Sequence, residues 1–300
     1  MNPIERLKQT LDAAGCRYRC EEPLRLHTSF RIGGPAELFV TPDSPRQTAQ
    51  LLDACRRFGV PALVMGNGSN LLVPDEGIRG AVVAFGASMS RITRRGNTLI
   101  AEAGATLSQL CRFAQQEGLT GLEFAWGIPG SVGGAVRMNA GAYGGEIKDV
   151  VTAVDGLTTD GKAFSVSAQE AQFGYRTSRF VAGEIVSSAV FSLFPGSPET
   201  IDARMAEILQ KRMEKQPLDY PSAGSAFKRP KGAFAAALID SCGLKGLTVG
   251  GAQVSEKHAG FVINTGGATA HDVLALLRQV QEEVLRQTGI LLEPEIQILT

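Results

Sequence analysis

"GIPGSVGGAVRMNAGAYGG" at residues 127–145 is the most glycine-rich stretch of the chain. Glycine alternates there with small side chains, and Ser131 is a residue type that commonly precedes the first turn of a helix. Such a stretch lets backbone N–H groups approach an anion closely, and a helix N-terminus favours negative charge. "GNGSN" at residues 66–70 has the same character. Two such loops suit a diphosphate, whereas a single one is more often a tight turn, and composition leaves both interpretations open.

The composition is that of an ordinary soluble globular protein. The 300 residues suffice for two or three domains, and 44% of them are hydrophobic. Thirty Lys and Arg balance thirty Asp and Glu, which argues against a nucleic-acid-binding protein. No apolar run approaches the roughly 20 residues that span a bilayer, and the polar N-terminus lacks a signal-peptide core. We therefore expect a cytoplasmic protein with no nucleic-acid, membrane or obligate protein partner.

Cysteine and histidine usage indicates neither disulfides nor a metal site. The five cysteines are odd in number, scattered and without a C-x-x-C pair, so we interpret them as reduced packing residues. The three histidines show no ligand spacing, so we expect no protein-bound metal.

Hydrophobic periodicity predicts a mixed α+β chain with a boundary near 196–200. Helix starts are marked by polar-Pro pairs at Asn2, Ser44 and Ser197. The turn at Asp160-Gly161 joins two strands. Further helices are predicted from Leu107, from Ser131 and over 270–287. Strands are predicted at 61–66, 80–86, 98–104, 150–157, 162–167, 184–194 and 295–299. The sequence pattern changes at this boundary, and we expect a larger α+β unit before it and a smaller one after it.

Two strings resemble nucleotide-binding motifs but lack residues or a structural context that such motifs require. "GLTTDGK" at 156–162 matches G-x-x-x-x-G-K, but Ala163 follows it where a Ser or Thr would hold magnesium, and it lies between two strands. We interpret it as a hairpin turn. "GNGSNL" at 66–71 lacks the third glycine and the acidic residue of a Rossmann site.

"SAGSAFKRP" at 222–230 places Ser225 among tiny residues, with Lys228 three positions later. Ser225 and Lys228 fit S-x-x-K, the nucleophile pattern of serine acyl enzymes, in which the two side chains lie one helical turn apart. Pro230 disfavours such a helix, and the partner motifs S-D-N and K-T-G are absent. The acyl-enzyme interpretation remains an alternative, as does a surface turn with an incidental serine.

An ordered set of motifs resembles one family of bacterial enzymes. The motifs are "GNGSN", "GIPGSVGGAVRMNAGAYGGE", "YRTSRF" (175–180), "PSAGSAFKRP" (221–230), "GAQVSEKHAGFVIN" (251–264) and "LEPEIQI" (292–298). Together they resemble the UDP-N-acetylenolpyruvoylglucosamine reductases of peptidoglycan precursor synthesis, over nearly the whole chain from about residue 27. The chain is compact and resembles the shorter type of that family.

The resemblance implies a fold and a division of the chain. The expected fold is α+β, with a vanillyl-alcohol-oxidase (PCMH)-type FAD-binding unit of two subdomains and then a smaller α+β substrate-binding domain. The expected ranges are 1–80, 81–198 and 199–300. None of the three histidines lies in either glycine-rich loop, so we expect FAD to be bound without a covalent bond.

The resemblance also implies the reaction. NADPH reduces the flavin, and the reduced flavin then passes hydride to C3 of the enolpyruvyl group of UDP-N-acetylglucosamine enolpyruvate, giving UDP-N-acetylmuramate. Negative charge builds up on the substrate carboxylate during this step, and C2 must then be protonated. A fixed cation aimed where charge develops suits such a step.

Three residues match the catalytic positions of the family. Arg176 is expected to bind and polarise the substrate carboxylate, Glu295 to stabilise the enolic intermediate as a protonated hydrogen-bond donor, and Ser225 to protonate C2. Glu293 and Ser222 are the neighbours that could be confused with the last two. Glu295 is preferred because it precedes the I-Q-I run, and Ser225 because A-F-K follows it.

The remaining candidates are binding residues. The expected FAD-binding residues are Asn67, Gly68, Ser69, Asn70, Gly127, Pro129, Gly130, Ser131 and Gly134. The expected substrate-binding residues are Tyr175, Lys215, Arg229 and Lys257, of which the three cations suit a diphosphate. Solvated surface lysines are an equally good interpretation of Lys215 and Lys257. A silent flavin or sugar-nucleotide binder is a third functional hypothesis, but such a protein would not need Arg176, Ser225 and Glu295 together.

Overall fold

The computed structural model describes residues 2–299, which form two compact units, each with its own apolar core. Of the described residues, the first unit comprises 2–20, 37–67 and 79–210, and the second comprises 21–36, 68–78 and 211–299. Phe30, Ile32 and Leu72 are buried in the core of the second unit, together with residues from 223 onward. Two early segments of the chain therefore contribute apolar side chains to the core that the C-terminal residues form.

The structure contains helices and strands throughout both units. The helices are α1 (Pro3–Ala13), α2 (Pro45–Phe58), α3 (Leu107–Gln116), α4 (Val132–Arg137), α5 (Pro198–Lys215), α6 (Ala235–Ser241) and α7 (Ala270–Thr288). The strands of the N-terminal half are β1 (Arg17–Pro23), β2 (Pro35–Thr41), β3 (Ala62–Met65), β4 (Leu71–Leu72), β5 (Ile78–Ala84), β6 (Ile92–Arg95), β7 (Thr98–Glu102), β8 (Leu119–Thr120), β9 (Gly141–Ala142) and β10 (Gly145–Glu146). The later strands are β11 (Val151–Leu157), β12 (Ala163–Ser167), β13 (Ile185–Ser192), β14 (Phe194–Pro195), β15 (Ser222–Ser225), β16 (Thr248–Val249), β17 (Ala252–Val254), β18 (Phe261–Asn264) and β19 (Gln297–Ile298).

Local sequence signals explain the helix ends of the first unit. Asn2 caps α1, where its side chain accepts a hydrogen bond from the Ile4 N–H at 3.0 Å. Ser44 caps α2 in the same way, and α2 ends at Gly59 in the left-handed conformation. The capping signals read from the sequence are therefore confirmed at both helices.

Two sheets dominate the first unit. One has the order β1-β2-β5-β3, with β3 and β5 parallel. The other has the order β12-β11-β13-β7-β6 and is antiparallel throughout. The turn between β11 and β12 is a hairpin in which Thr158 N–H donates to the Lys162 carbonyl and Gly161 has a φ of 81°. The string at 156–162 is thus a hairpin turn, as its context predicted, and not a phosphate loop.

The second unit contains the antiparallel sheet β15-β18-β17-β16. The apolar face of α7 is buried in the core of this unit. The final strand is shorter than the predicted 295–299, because only β19 pairs, in parallel, with β4. No helix within residues 2–299 combines the length and apolar character that a bilayer crossing requires.

Candidate functional site

In the first unit, the two glycine-rich stretches lie against each other. Gly66 follows β3, and a Cβ atom placed on it would overlap Ser131 Oγ. Ser131 is buried, and its Oγ accepts a hydrogen bond from the Gly134 N–H at 3.3 Å, so Ser131 caps α4. Glycine at position 66 is required by this close approach, which no local pattern predicts.

The start of α4 has already used its N–H groups. Val132 N–H donates to the Ala105 carbonyl, Gly133 N–H to the Ala103 carbonyl, and Gly134 N–H to Ser131 Oγ. A Cβ on Gly133 would lie 2.9 Å from the Ala103 Cβ, so this glycine lets the helix pack against the end of β7. The helix start predicted at Ser131 is confirmed, but its first N–H groups bind the protein itself.

The loop that carries Gly127, Pro129 and Gly130 is fixed by its own backbone. Gly130 accepts a hydrogen bond from the Leu107 N–H at 2.9 Å and donates to the Ile128 carbonyl at 2.9 Å. Gly127 has a φ of 77°, the left-handed region that favours glycine. Pro129 is exposed. These residues therefore present a rigid backbone surface with little side-chain bulk.

In the second unit, the remainder of the first glycine-rich loop offers unused donors. Gly68 has a φ of 59°, and among residues 2–299 the N–H groups of Gly68 and Ser69 have no hydrogen-bond acceptor. A left-handed residue turns successive N–H groups toward one side, which is how backbone nests bind anions. Asn67, which precedes Gly68, is exposed. This loop therefore has two unused backbone N–H groups, whereas the first N–H groups of α4 bind the protein itself.

Arg176 lies at the tip of a two-residue turn in the first unit. Gly174 and Thr177 exchange backbone hydrogen bonds of 3.0 and 3.4 Å across that turn. Arg176 has a φ of 55°, unusual for a residue other than glycine, and its Nη2 donates to the Gly141 carbonyl at 3.0 Å. The Tyr175 ring is half exposed beside the guanidinium, 5.4 Å from ring centroid to Cζ. The turn therefore presents a cation and an aromatic ring side by side.

Ser225 ends strand β15 in the second unit, at a β-bulge. The pairing register of β15 with β18 shifts between Ser222 and Ser225, and Gly224 within the bulge has a φ of 78°. Bulges bend a strand and redirect the side chain that follows. Ser225 is exposed, and among the described residues its hydroxyl has no hydrogen-bond partner. The serine is therefore available to an external group.

Glu295 lies on the segment that pairs with the chain directly after Ser225. The Glu295 N–H donates to the Ala226 carbonyl at 2.8 Å, and Phe227 and Pro294 form a β-bridge. The structure thus brings together two of the predicted catalytic residues that are 70 positions apart in sequence.

Asn70 holds that segment from the other side. Its Nδ2 donates to the Glu295 carbonyl at 3.3 Å, and its own carbonyl accepts from the Gln297 N–H at 2.9 Å. The resemblance predicts that Asn70 binds FAD together with its loop neighbours. Its contacts place the side-chain amide against the backbone of Glu295.

Lys228 does not lie one helical turn from Ser225. Ser225 is in a strand, the Lys228 N–H donates to the Glu293 carbonyl at 2.8 Å, and the Lys228 ammonium forms an ion pair with the Glu293 carboxylate. An ammonium that is held by a carboxylate cannot deprotonate a serine hydroxyl as the acyl-enzyme pattern requires. The structure therefore does not support the acyl-enzyme alternative.

Cations gather at the C-terminal end of α5 in the second unit. The Lys257 ammonium donates to the Met213 carbonyl. Burial is the main cause that lowers the pKa of the His258 imidazole, and the nearby charges of Lys245 and Lys215 lower it further. Arg229 is elsewhere in the same unit, with its guanidinium 4.5 Å from the centroid of the exposed Phe234 ring. Lys257 thus donates to a carbonyl in the last turn of α5 as well as contributing charge. Lysine side chains often have this structural role at helix ends.

Residues that the sequence analysis missed include two buried polar side chains. Asn139 is fully buried, and its amide bonds to three backbone or side-chain groups of the first unit. Arg212 is only 7% exposed on α5. A single asparagine or arginine gives no local signal of burial, although the position of Asn139 inside the glycine-rich stretch marks a segment without apolar periodicity.

We predict that His258 makes the stability of the protein pH-dependent. Burial, the main cause, lowers the pKa of His258 below its ordinary value of 6.5, and Nδ1 accepts a hydrogen bond from the Gly260 N–H at 3.1 Å. The unfolded chain therefore binds a proton more readily than the folded chain, so the free energy of unfolding should fall as the pH drops below about 6.5.

Denaturant unfolding at pH 7.5 and pH 5.5, compared between the wild type and His258→Gln, measures this effect. The glutamine variant should lose part of the difference between the two pH values. An identical difference in both proteins would show that other groups cause it.

Comparisons with known proteins give a consistent result. Residues 36–167 match the model of the FAD binding domain family, and residues 216–299 match that of the C-terminal domain of UDP-N-acetylenolpyruvoylglucosamine reductase. The chain is 51% identical to UDP-N-acetylenolpyruvoylglucosamine reductase of Agathobacter rectalis, over 93% of each chain. It is 48% identical to the enzyme of that name from Caldanaerobacter subterraneus subsp. tengcongensis, over 99% of this chain and 97% of the relative.

Solved structures support the same fold. The crystal structure of UDP-N-acetylenolpyruvylglucosamine reductase from Thermus caldophilus is 38% identical, with a TM-score of 0.82 over 95% of this chain and 99% of that one. A variant of berberine bridge enzyme, 14% identical, has a TM-score of 0.53 over 65% of this chain and 44% of that one, which is a likeness of fold alone. The predicted α+β fold with a PCMH-type FAD-binding unit is confirmed.

Proposed function

The chain belongs to the UDP-N-acetylenolpyruvoylglucosamine reductase family, and from this membership we propose that it reduces the enolpyruvyl group of UDP-N-acetylglucosamine enolpyruvate to UDP-N-acetylmuramate for peptidoglycan synthesis. FAD is the cofactor, bound without a covalent bond, and NADPH is the reductant. The observation that carries the proposal is the pairing of the Glu295 segment with the chain directly after the exposed Ser225.

FAD, when bound, would supply the redox chemistry, which is the transfer of hydride from NADPH to C3 of the enolpyruvyl group. The protein must then stabilise the negative charge that hydride addition creates on the substrate. The electron pair of the double bond moves toward C2 and the substrate carboxylate, so the protein needs a cation at the carboxylate and an acid at C2.

Arg176 is proposed as the cation. A guanidinium offers a planar pair of donors that matches a carboxylate, and its charge does not depend on pH in the working range. The Nη2 bond to the Gly141 carbonyl restrains the position of the guanidinium. The half-exposed Tyr175 beside it is proposed to position the substrate or the nicotinamide.

Ser225 is proposed as the acid that protonates C2. A serine hydroxyl is a very weak acid, so it suits only a strongly basic carbanion, and the small neighbours Ala223, Gly224 and Ala226 leave room for that carbon. The hydroxyl hydrogen moves to C2, and exposure of Ser225 lets solvent return a proton to its oxygen.

Glu295 is proposed to donate a hydrogen bond to the enolic intermediate from a protonated carboxyl group. Its backbone is fixed on both sides by Ala226 and by the Asn70 amide. Such fixation supports catalysis because a donor that is already in place does not have to reorganise as charge develops.

The glycine-rich loops are proposed to hold the FAD phosphates. The free N–H groups of Gly68 and Ser69 are the strongest support, because a phosphate oxygen is the acceptor that such a loop suits. Asn67 and Asn70 flank them. The backbone of the second stretch adds a surface without side-chain bulk. Its proposed contributors are Gly127, Pro129, Gly130, Ser131 and Gly134.

Lys215, Lys257 and Arg229 are proposed to contact the diphosphate of the sugar nucleotide. The first two lie near one end of α5, where their charges add. Diphosphate oxygens prefer such charge-assisted donors. We further propose that the protein works in the cytoplasm, where its nucleotide substrates are made.

A visible absorption spectrum of the purified protein tests the proposed function first. We expect flavin bands that bleach with NADPH and return when UDP-N-acetylglucosamine enolpyruvate is added. A protein that stays colourless after incubation with FAD would contradict the proposal. Bleaching without recovery would support FAD as the cofactor and contradict UDP-N-acetylglucosamine enolpyruvate as the substrate.

A further inference from the structure

Asn139 is the most completely satisfied buried amide near the Arg176 turn. Its side chain is fully buried, and its backbone has a φ of 42°. Nδ2 donates to the Gly174 carbonyl and to Glu146 Oε2, both at 2.9 Å, while Oδ1 accepts from the Lys148 N–H at 3.0 Å. Both amide hydrogens and the oxygen are therefore engaged, which is expected of a side chain that would be costly to bury unpaired.

The bonds of Asn139 join two segments of the first unit that both reach Arg176, namely the Arg176 turn and the hairpin of β9 and β10. Gly174 is the first residue of the turn that has Arg176 at its tip. Gly141, whose carbonyl accepts from Arg176 Nη2, pairs with Glu146 in the hairpin of β9 and β10. Asn139 thus connects the base of the Arg176 turn to the hairpin that holds the guanidinium.

Electrostatics in this cluster supports the same geometry. The Lys148 ammonium, first of all, lowers the pKa of Glu146, and the Asn139 amide and the charge of Arg176 lower it as well. Glu146 therefore stays anionic, which makes its carboxylate a strong acceptor for the Asn139 amide. The same shift shows that Glu146 and Arg176 are close enough for their charges to interact.

The turn needs an external restraint because its conformation is strained. A positive φ at a residue other than glycine costs of order 1–3 kcal/mol, and it persists only where the surroundings impose it. Beyond the turn, the chain is anchored separately, since Ser178 Oγ donates to the Arg137 carbonyl at 2.7 Å and Arg137 Nη1 to the Phe180 carbonyl at 2.6 Å. The Asn139 bond to Gly174 is therefore a side-chain restraint on the base of the turn.

We propose that Asn139 is a positioning residue that holds the Arg176 turn, and through it the guanidinium, in the geometry needed at the substrate carboxylate. The inference rests on the proposed role of Arg176. Misplacement of a reacting group by about 1 Å can cost roughly 100-fold in rate, so a change confined to the turn has a kinetic signature.

The test uses the FAD-loaded full-length protein and the variant Asn139→Gly. Glycine accepts the φ of 42° without strain, so the variant removes the amide while tolerating the backbone. We expect reoxidation of the reduced flavin by the enolpyruvyl substrate to slow by roughly 10- to 100-fold, because the guanidinium is displaced. Flavin reduction by NADPH should change by less than about 2-fold, since that step does not use the substrate carboxylate.

A matched control separates positioning from a general loss of stability. Leu51→Ala removes a buried side chain from α2 in the same unit and should lower the melting temperature without slowing reoxidation. If Asn139→Gly yields no folded protein, Asn139→Asp replaces it, because aspartate keeps the size and the acceptor but loses both donors. If Leu51→Ala slows flavin reoxidation as much as Asn139→Gly does, the proposal is wrong.

A double-mutant cycle with Arg176→Ala tests whether Asn139 acts through Arg176. In the Arg176→Ala background, Asn139→Gly should slow reoxidation by less than about 2-fold, because the group that it positions is gone. An undiminished effect in that background overturns the proposal. Arg176→Ala that leaves reoxidation unchanged would instead contradict the proposed role of Arg176 itself.

Discussion

Replacing Ser225 with alanine is expected to slow reoxidation of the reduced flavin by the enolpyruvyl substrate by about 10²- to 10⁴-fold, the typical loss when a positioned proton donor is removed. This corresponds to roughly 3–5 kcal/mol of activation free energy. Flavin reduction by NADPH should keep its rate, since no proton is delivered to the substrate in that step. Stopped-flow absorbance measures the two half-reactions separately.

The fold of the Ser225→Ala variant should be intact, because the hydroxyl makes no hydrogen bond to another described residue and Ser225 is exposed. Ser222→Ala is the matched control. It lies on the same strand and its carbonyl, not its hydroxyl, accepts a hydrogen bond from Ser29 Oγ at 2.7 Å. Equal rates in Ser222→Ala and Ser225→Ala would remove Ser225 from the proposed mechanism.

Replacing Glu295 with alanine is expected to slow the same half-reaction by about 10²- to 10³-fold, the usual effect of losing one donor to a developing negative charge. Glu295→Gln should retain part of the rate, because an amide keeps donors at the position of the carboxyl group. The segment should keep its place in both variants, since the Glu295 N–H still donates to the Ala226 carbonyl.

Glu293→Ala is the control for Glu295, and it also settles which of the two glutamates acts. The Glu293 carboxylate pairs with the Lys228 ammonium and is 70% exposed, so its loss should change stability and rate little. Stopped-flow reoxidation of all three variants checks this. A larger loss in Glu293→Ala than in Glu295→Ala would reverse the assignment.

Much of the local structure could be predicted because its causes are local. The Asn2 and Ser44 caps, the stop of α2 at Gly59 and the hairpin turn near Gly161 each depend on a few neighbouring residues. Backbone conformations at such positions follow from side-chain acceptors and from the freedom of glycine.

The short strands were harder to predict because pairing defines them. Sequence periodicity does not identify β1, β2 or β15–β18, and it predicts a five-residue final strand where only β19 pairs. A strand as short as β19 is stabilised by the backbone of β4, more than 200 positions away, so it has no period of its own to recognise.

The sequence by itself determined the family, the α+β class and the three residues proposed for catalysis, because their motifs are specific as an ordered set. Only the tertiary structure decided how residues distant in sequence meet. It placed Phe30 and Leu72 in the C-terminal core, Gly66 against Ser131, and Glu295 beside the Ser225 strand. It also showed that Asn139 connects the Arg176 turn to the hairpin of β9 and β10. Such contacts depend on burial and long-range hydrogen bonding, which no window of neighbouring residues contains.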